Sequence, residues 1–285
     1  MTGIDTIIMV DWSARSAPSP ARRTKDAIYV AEVAPGHRSV TYCRTRAEAT
    51  AHLTARFAAA LAEGRRVLAG LDFPFAYPRG FAEALTGRAD PFAVWGWLAD
   101  AIEDDERNAN NRLEVADKIN ARFKAEGPFW SHPVGKSPLH VPFRKPPHAG
   151  FPFAERRKVE LAAPGASTCF QLYGNGAVAS QTLLGLPRLH ALRQRFGDTL
   201  AVRPFEDREA PIVLAEVYPA ILSAEIKRRQ KPDEVADAAQ VRVLAAGFAG
   251  LSPERLDAML REGDRKEGWI AGLGHAAELI AALGS

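Results

Sequence analysis

Short apolar runs that end in a carboxylate restrict the fold of this chain more than any other feature of its sequence. Two such runs end in Asp11 and Asp72, and a third carries Glu216 close to its end. Runs of this length are typical of buried β-strands, and strand ends in an open α/β sheet are where ligand sites usually form. A carboxylate is costly to bury unless it is paired or bound to a cation. We therefore expect an α/β protein in which these acidic side chains meet around divalent metal.

The order of the predicted elements favours a ribonuclease-H-like mixed sheet flanked by helices. In such a sheet an antiparallel meander is followed by a helix that crosses over to a parallel strand. Residues 46–63 carry apolar residues at helical spacing, and Gly64 stands where that helix would end. The predicted order is a strand at 6–11, two strands at 27–33 and 38–43 joined across Pro35-Gly36, the helix at 46–63 and a strand at 66–72.

The remaining sequence predicts one domain, residues 1–285, with an irregular and helical region inserted at about residues 78–165. Residues 127–153 are rich in proline, aromatic residues and histidine, without a periodic element. A loop this long inside a compact domain is usually functional or disordered, and its aromatic residues argue against simple disorder. Further predicted elements are two helices within 90–125, divided near 108–111; a helix at 176–196; a strand at 211–217; and helices at 219–229, 233–248, 253–261 and 267–282.

The composition indicates the cellular compartment of the protein but does not identify its binding partner. A net charge of +3 among 285 residues permits nucleic-acid binding without requiring it. Cys43 and Cys169 fit neither a disulfide framework nor a zinc site, so we interpret them as free thiols in a reducing compartment. Since no apolar stretch approaches the roughly 18 residues of a membrane helix, we expect a cytoplasmic protein with no membrane partner.

A fourth carboxylate, Asp237, is predicted on the helix at 233–248. Asp233 lies four residues earlier on the same helical face, where it serves either the same site or as the helix N-cap. Asp237 is placed too far into the predicted helix to cap it, and its alternative is a solvent-facing acid. Glu216 has an alternative too, an ion pair with a basic neighbour. Oxygen ligands of this kind suit hard cations such as Mg²⁺.

The same residues carry a resemblance to the DUF429 family, described as predicted nucleases of ribonuclease-H-like fold. Short segments in a conserved order span nearly the whole chain. They are Val10 to Ser13, Gly70 to Pro74, Ser167 to Leu172, Gly174 to Gln181, Leu184 to Pro187, Glu216 to Pro219, Asp233 to Ala238 and Glu267 to Ile270. The resemblance implies phosphodiester hydrolysis by a metal-dependent nuclease or related phosphoesterase.

In the mechanism that this resemblance implies, Asp11 bridges two Mg²⁺ or Mn²⁺ ions roughly 3.5–4 Å apart. Asp72, Glu216 and Asp237 complete the metal shells. One ion activates water and the other stabilises the leaving oxygen, so that no dedicated general base is required.

Basic and polar residues predict where a nucleic acid or nucleotide would bind. Residues 143–158 interleave basic and aromatic side chains, a mixture that binds phosphates and stacks bases, although a solvated loop has the same composition. The candidate substrate-binding residues are Arg15, Lys136, Arg144, Arg156, Arg157 and Gln171.

Two other classes of protein remain open at this point. An ATP- or nucleotide-dependent enzyme of the actin-like branch shares the sheet and a strand-end aspartate, but it repeats its core in two lobes. A non-catalytic accessory protein in molybdopterin guanine dinucleotide biosynthesis, a name under which similar proteins circulate, would not need several converging acids. The distances among the carboxylates separate these alternatives from a nuclease.

Overall fold

A mixed six-stranded sheet organises the computed structural model, which describes residues 3–123 and 127–284. Its order is β3-β2-β1-β4-β6-β5. β1 pairs antiparallel with β2 and parallel with β4, so the sheet changes from antiparallel to parallel pairing at β1. The strands are β1 (Thr6–Asp11), β2 (Ile28–Ala34), β3 (His37–Cys43), β4 (Val67–Leu71), β5 (Leu200–Val202) and β6 (Ile212–Glu216).

The first four strands follow the predicted order of meander, helix and parallel strand. The meander turns at Gly36, whose φ of 69° lies in the left-handed region that glycine tolerates. Thr45 then caps the crossover helix by accepting a hydrogen bond from the Glu48 N–H. The polypeptide returns through this helix to β4, which pairs with β1 and β6 in parallel. The α/β class is therefore confirmed.

Helices cover both faces of this sheet. The helices are α1 (Arg46–Ala62), α2 (Phe81–Thr86), α3 (Pro91–Ala101), α4 (Arg112–Asn120), α5 (Lys158–Ala162), α6 (Ala179–Phe196), α7 (Ser223–Arg229), α8 (Ala236–Ala249), α9 (Pro253–Arg261) and α10 (Ala276–Ala282), with 3₁₀ turns at Gly197–Thr199 and Pro219–Leu222.

Alternate residues of each strand enter two different cores. Ile8 and Val10 of β1 pack with α1 and the region between β4 and β5, and we call this side the front face. Ile7 and Met9 pack with α8 and the C-terminal helices on the rear face. This alternation is the two-residue period of a pleated strand. It decides which strand-end side chains can meet.

The region between β4 and β5 belongs to the front core. Phe81, Trp95, Phe129 and Phe170 are fully buried in it together with strand residues. Within residues 127–153 no helix or regular strand forms, as predicted. Asn120 anchors this segment, because its Nδ2 donates to the carbonyls of Phe129 and His140.

Several helix boundaries differ from the prediction. The helix predicted at 267–282 begins only at Ala276, because Gly268, Gly272 and Gly274 adopt positive φ values of 79°, 80° and 86°. The helix predicted at 233–248 begins at Ala236, so Asp233 is exposed and does not cap it.

Cys43 and Cys169 are buried free thiols, as predicted. Among residues 3–123 and 127–284, no helix combines the length and the apolarity that crossing a membrane requires.

Candidate active site

A cleft of about 800 Å³ opens where β1 ends. Asp11, Asp26 and Asp237 line it on the acidic side, and Arg15 and Arg112 bring positive charge to the same space. Residues 174–181, at the start of α6, contribute a further wall. The cleft therefore combines carboxylates with guanidinium groups, which is a suitable lining for a cation and an anionic ligand together.

Strand register places Asp11 and Asp72 side by side on the rear face. Val10 pairs with Leu71, and the Asp72 N–H continues the ladder by donating to the Val10 carbonyl at 3.0 Å. Asp11 and Asp72 each follow one of these paired residues, so both side chains turn to the other face. Asp11 lines the cleft, whereas Asp72 lies next to Asp11 rather than on the cleft wall.

The two carboxyls resist ionisation in each other's presence. Burial, followed by the neighbouring charges of Asp72, Asp237 and Asp26, raises the pKa of Asp11 well above its ordinary value. Burial and then the charge of Glu216 raise the pKa of Asp72 to about 7. Neither carboxyl has a hydrogen-bond or ion-pair partner among the described residues. A cation placed between them would relieve this repulsion.

Asp237 reaches the same cleft from the first turn of α8. Its Oδ2 accepts the Asp26 N–H at 2.7 Å, and the Asp26 carbonyl accepts the Ser13 hydroxyl at 2.7 Å. Burial raises the pKa of Asp237, although the Asp26 hydrogen bond opposes the shift. Asp237 does not cap α8, as predicted, because Val235 is the N-cap; the helix begins at Ala236 rather than at residue 233, so Asp237 lies in its first turn. One of its oxygens is thus already engaged in closing the loop that follows β1.

Glu216 lies on the opposite face from Asp11 and Asp72. It pairs in register with Leu71, so its side chain shares the front face. There Arg157 holds both carboxylate oxygens, at 2.7 and 2.8 Å, and the Phe75 N–H donates to one of them at 2.9 Å. The four predicted carboxylates are therefore not brought together, and the pairing alternative for Glu216 is the one that the structure contains.

Arg157, predicted to bind substrate, is a buried structural cation. Its side chain is 1% exposed, and it also binds Glu160 at 2.8 Å. A guanidinium with two carboxylate partners and no accessible surface has no free donor to offer a ligand. The sequence signal failed here because the basic run at residues 156–158 looks the same whether its members point inward or outward.

Three other predicted cations lie near the cleft or on the surface. Arg15 lines the cleft. Lys136 is exposed and lines a smaller chamber beside it. Arg144 is exposed but lies outside the residues that line these two spaces.

The remaining predicted substrate-binding residues serve local structure. Arg156 donates to the Ala166 carbonyl at 2.9 Å. The Gln171 amide donates to the Tyr173 carbonyl at 3.1 Å, which holds the turn before α6. Neither residue lines the cleft.

A buried arginine that the sequence did not reveal positions the loop after β1. Arg46 is fully buried and forms an ion pair with Asp104 at 2.5 Å. Its Nη1 donates to the carbonyls of Ser13 and Arg15 at 3.1 and 2.8 Å. Since Asp104 follows α3, this contact ties the cleft loop to the region between β4 and β5. No local motif marks such a long-range contact in the sequence.

Sequence reasoning also missed Asp26, Arg112 and Tyr173, which line the cleft. Asp26 adopts φ 58°, an unusual conformation that follows from its place in the closed loop. Arg112 begins α4 and lies about a hundred positions from Asp11 in the chain, so its spacing carries no signal. Tyr173 falls between two of the resemblance segments, which end at Leu172 and begin again at Gly174, and no pattern in the sequence predicts that its side chain is exposed.

The donor set is compatible with a hard cation held by few protein ligands. Across residues 3–123 and 127–284, no three histidine, cysteine, aspartate or glutamate side chains converge enough to hold an ion by themselves. Mg²⁺ often takes only one or two carboxylates and completes its shell with water and substrate phosphate. Asp11 and Asp72, adjacent and without partners, fit this smaller requirement.

The fold and the cleft define a mixed-sheet α/β protein with paired carboxylates at adjoining ends of parallel strands. Comparison of the chain with protein-family models, with curated proteins and with solved structures finds no match.

Proposed function

We propose that this protein is a divalent-metal-dependent phosphodiesterase, a nuclease of ribonuclease-H-like fold as the resemblance to DUF429 implies. One observation carries the proposal. Asp11 and Asp72 lie side by side on one face of adjacent parallel strands, without a cationic partner among the described residues. Paired carboxylates of this kind are the usual protein contribution to Mg²⁺ or Mn²⁺ sites that act on phosphates.

The sheet supports the fold part of this proposal. An antiparallel meander, β1 to β3, is followed by the α1 crossover to β4, which pairs in parallel with β1. The acids of interest lie at the carboxyl ends of the two central strands, β1 and β4. In open α/β sheets this edge is the usual location of a ligand site.

In the proposed site Asp11 and Asp72 hold the ion. When bound, Mg²⁺ or Mn²⁺ supplies Lewis-acid activation of water and stabilisation of the leaving oxygen. Asp237 fixes the Asp26 backbone and adds negative charge at the rim. Arg15 and Arg112, which line the same cleft, attract the substrate phosphate and hold it near the carboxylates.

The single sheet distinguishes this proposal from an actin-like ATPase. That branch repeats its core in two lobes, each with its own sheet. The part of the chain that the structure describes contains one sheet of six strands. A non-catalytic accessory role is the other alternative, and it is separated from hydrolysis by the experiment below.

The test is cleavage of labelled RNA, single-stranded DNA and duplex DNA in Mn²⁺ or Mg²⁺. We expect cleavage by the wild type, and a loss of at least about 100-fold in Asp11→Asn and Asp72→Asn, the size typical of removing a principal electrostatic group from an active site. EDTA should abolish activity, and added Mn²⁺ should restore it.

Asp233→Asn is the matched control, since Asp233 is an exposed acid only four residues from Asp237. It removes the same charge from a residue that does not line the cleft and should retain full activity. Equal activity in Asp11→Asn and the wild type would overturn the proposal. So would the absence of cleavage of every nucleic acid in both metals, which would favour the accessory role.

A further inference from the structure

A second chamber adjoins the acidic cleft. It has a volume of about 250 Å³ and extends from Arg112 to Lys136. Ser16, Arg112 and Tyr173 line both spaces, so that the cleft and the chamber form one continuous groove. The groove runs from the carboxylate of Asp11, past Arg112, to a far end where Lys136 and Glu114 carry opposite charges.

Arg112, at the junction of the two spaces, has no acidic partner. It donates to the hydroxyls of Ser16 and Ser180 at 2.9 and 3.0 Å and to Asn110 Oδ1 at 2.7 Å. All three acceptors are neutral, and no carboxylate among the described residues pairs with it. Burial, and then the charge of Arg46, lower the pKa of Arg112. The nearby charges of Asp104 and Glu114 oppose this shift, but neither acid forms an ion pair with Arg112. A fixed guanidinium that faces a groove and is not held by a carboxylate is suited to binding a phosphate.

Tyr173 presents an aromatic ring beside this cation. Its side chain belongs to a residue that is 53% exposed, and no aromatic ring of the described residues contacts it. Its own carbonyl accepts the Gln171 side-chain amide at 3.1 Å. The preceding residue is anchored as well, since the Leu172 N–H donates to the Trp130 carbonyl at 3.0 Å and the Ser180 hydroxyl donates to the Leu172 carbonyl at 2.8 Å. An exposed ring on a fixed backbone is a platform on which a base can stack.

We infer that the groove binds single-stranded nucleic acid, with an unpaired base stacked on Tyr173 and the adjacent phosphate bound by Arg112. This inference rests on the proposed function, because the same strand would continue to Asp11 and Asp72. Lys136 extends the phosphate path beyond the stacked base. A duplex is a poor ligand because its bases are stacked on one another and cannot offer a face to Tyr173.

The experiment measures binding in EDTA, so that no strand is cleaved. The probes are fluorescein-labelled oligouridylate and oligothymidylate of about eight nucleotides, within the range of single-strand binding sites, and a duplex of the same length. We expect Tyr173→Ala to weaken binding of the single strands about tenfold, a typical effect of losing one base stack. Tyr173→Phe should retain wild-type affinity, because the ring is kept.

Arg112 is tested through salt dependence. Arg112→Gln should reduce the slope of log affinity against log salt by about 0.7, the value for one phosphate contact on a single strand. Arg112→Lys keeps the charge and should keep the slope. Tyr173→Ala should weaken affinity without changing the slope, which separates stacking from phosphate binding.

Phe143→Ala is the matched control, since Phe143 is 56% exposed but does not line the groove, and it should bind like the wild type. Equal affinity of Tyr173→Ala and wild type would overturn the inference, as would binding of duplex as tightly as single strands. The inference would also be overturned if uridine or thymidine monophosphate bound as tightly as the eight-nucleotide strands. Because binding is measured without metal, single-strand binding that depends on Tyr173 would support the inference even if no cleavage were found. Conversely, cleavage by the wild type together with unchanged binding by Tyr173→Ala would overturn the inference and leave the proposed function intact.

Discussion

Two pairs of neighbouring charged residues, one at the end of β6 and the other at the ends of β1 and β4, are organised in opposite ways. On the front face, Glu216 is held by Arg157 through two short contacts and is shielded from solvent. On the rear face, Asp11 and Asp72 adjoin each other, and no basic side chain among the described residues pairs with either. The charge of the first pair is balanced within the fold, whereas that of the second is not. A position at a strand end therefore does not decide whether a carboxylate is paired, and the face of the sheet on which it lies does.

The largest expected effect comes from breaking the front pair. Arg157→Met should lower the free energy of unfolding by about 3–5 kcal/mol, because Glu216 and Glu160 would remain buried without their cation. Urea unfolding at neutral pH measures the change. Lys145→Met, which removes a half-exposed partner of Glu155, is the control and should cost at most about 1 kcal/mol. Similar small losses in both variants would show that the front pair is not structural.

A smaller effect is expected from satisfying the rear pair with a cation. Mg²⁺ or Mn²⁺ at ten times its dissociation constant should stabilise the wild type by about 1.4 kcal/mol. Thermal unfolding at pH 8 with and without the ion measures this. Asp11→Asn should show no such gain, while Asp233→Asn should respond like the wild type. Equal stabilisation of the wild type and Asp11→Asn would place the ion elsewhere.

A pH-dependent effect concerns the rear pair without any ligand. The pKa of Asp72 is raised to about 7 in the folded protein, above its ordinary value of 3.8. The folded state then binds the extra proton, so this group's contribution to stability is greatest at low pH and declines as pH rises from about 4 to about 7. Asp72→Asn should therefore raise the free energy of unfolding at pH 8 by as much as about 4 kcal/mol, since the pKa is raised by roughly three units, and should change it little at pH 4. A loss of stability at pH 8 would contradict this account.

Much of the sheet was predictable because its strands are short, apolar and bounded by turn residues. β1 and the Asp11 end were located within a residue, and the α1 crossover was located by its Ala-rich helical spacing. The two helices of five and six residues, α5 and α2, were missed because fewer than two turns carry little periodicity. The three residues of β5 carry still less.

The site was predictable only in part, for a physical reason that β6 shows. Its residues from Ile212 to Val217 are buried on both faces, so no alternation of polar and apolar residues reveals which way Glu216 points. The face of the sheet on which Glu216 lies follows only from its pairing with Leu71 in the structure. Arg46 and Arg112 act through contacts far apart in the chain, which a local pattern does not encode.

The hydrogen bond between Asp26 and Asp237 joins residues 211 positions apart. A ribosome-bound chain has therefore produced β1 and β4 long before α8 emerges to close the loop behind Asp11. Contacts of such high sequence separation form late, because the intervening chain must be ordered first. We expect a chain truncated before α8 to carry Asp11 and Asp72 without a finished cleft, because the residue that fixes the Asp26 backbone is then missing.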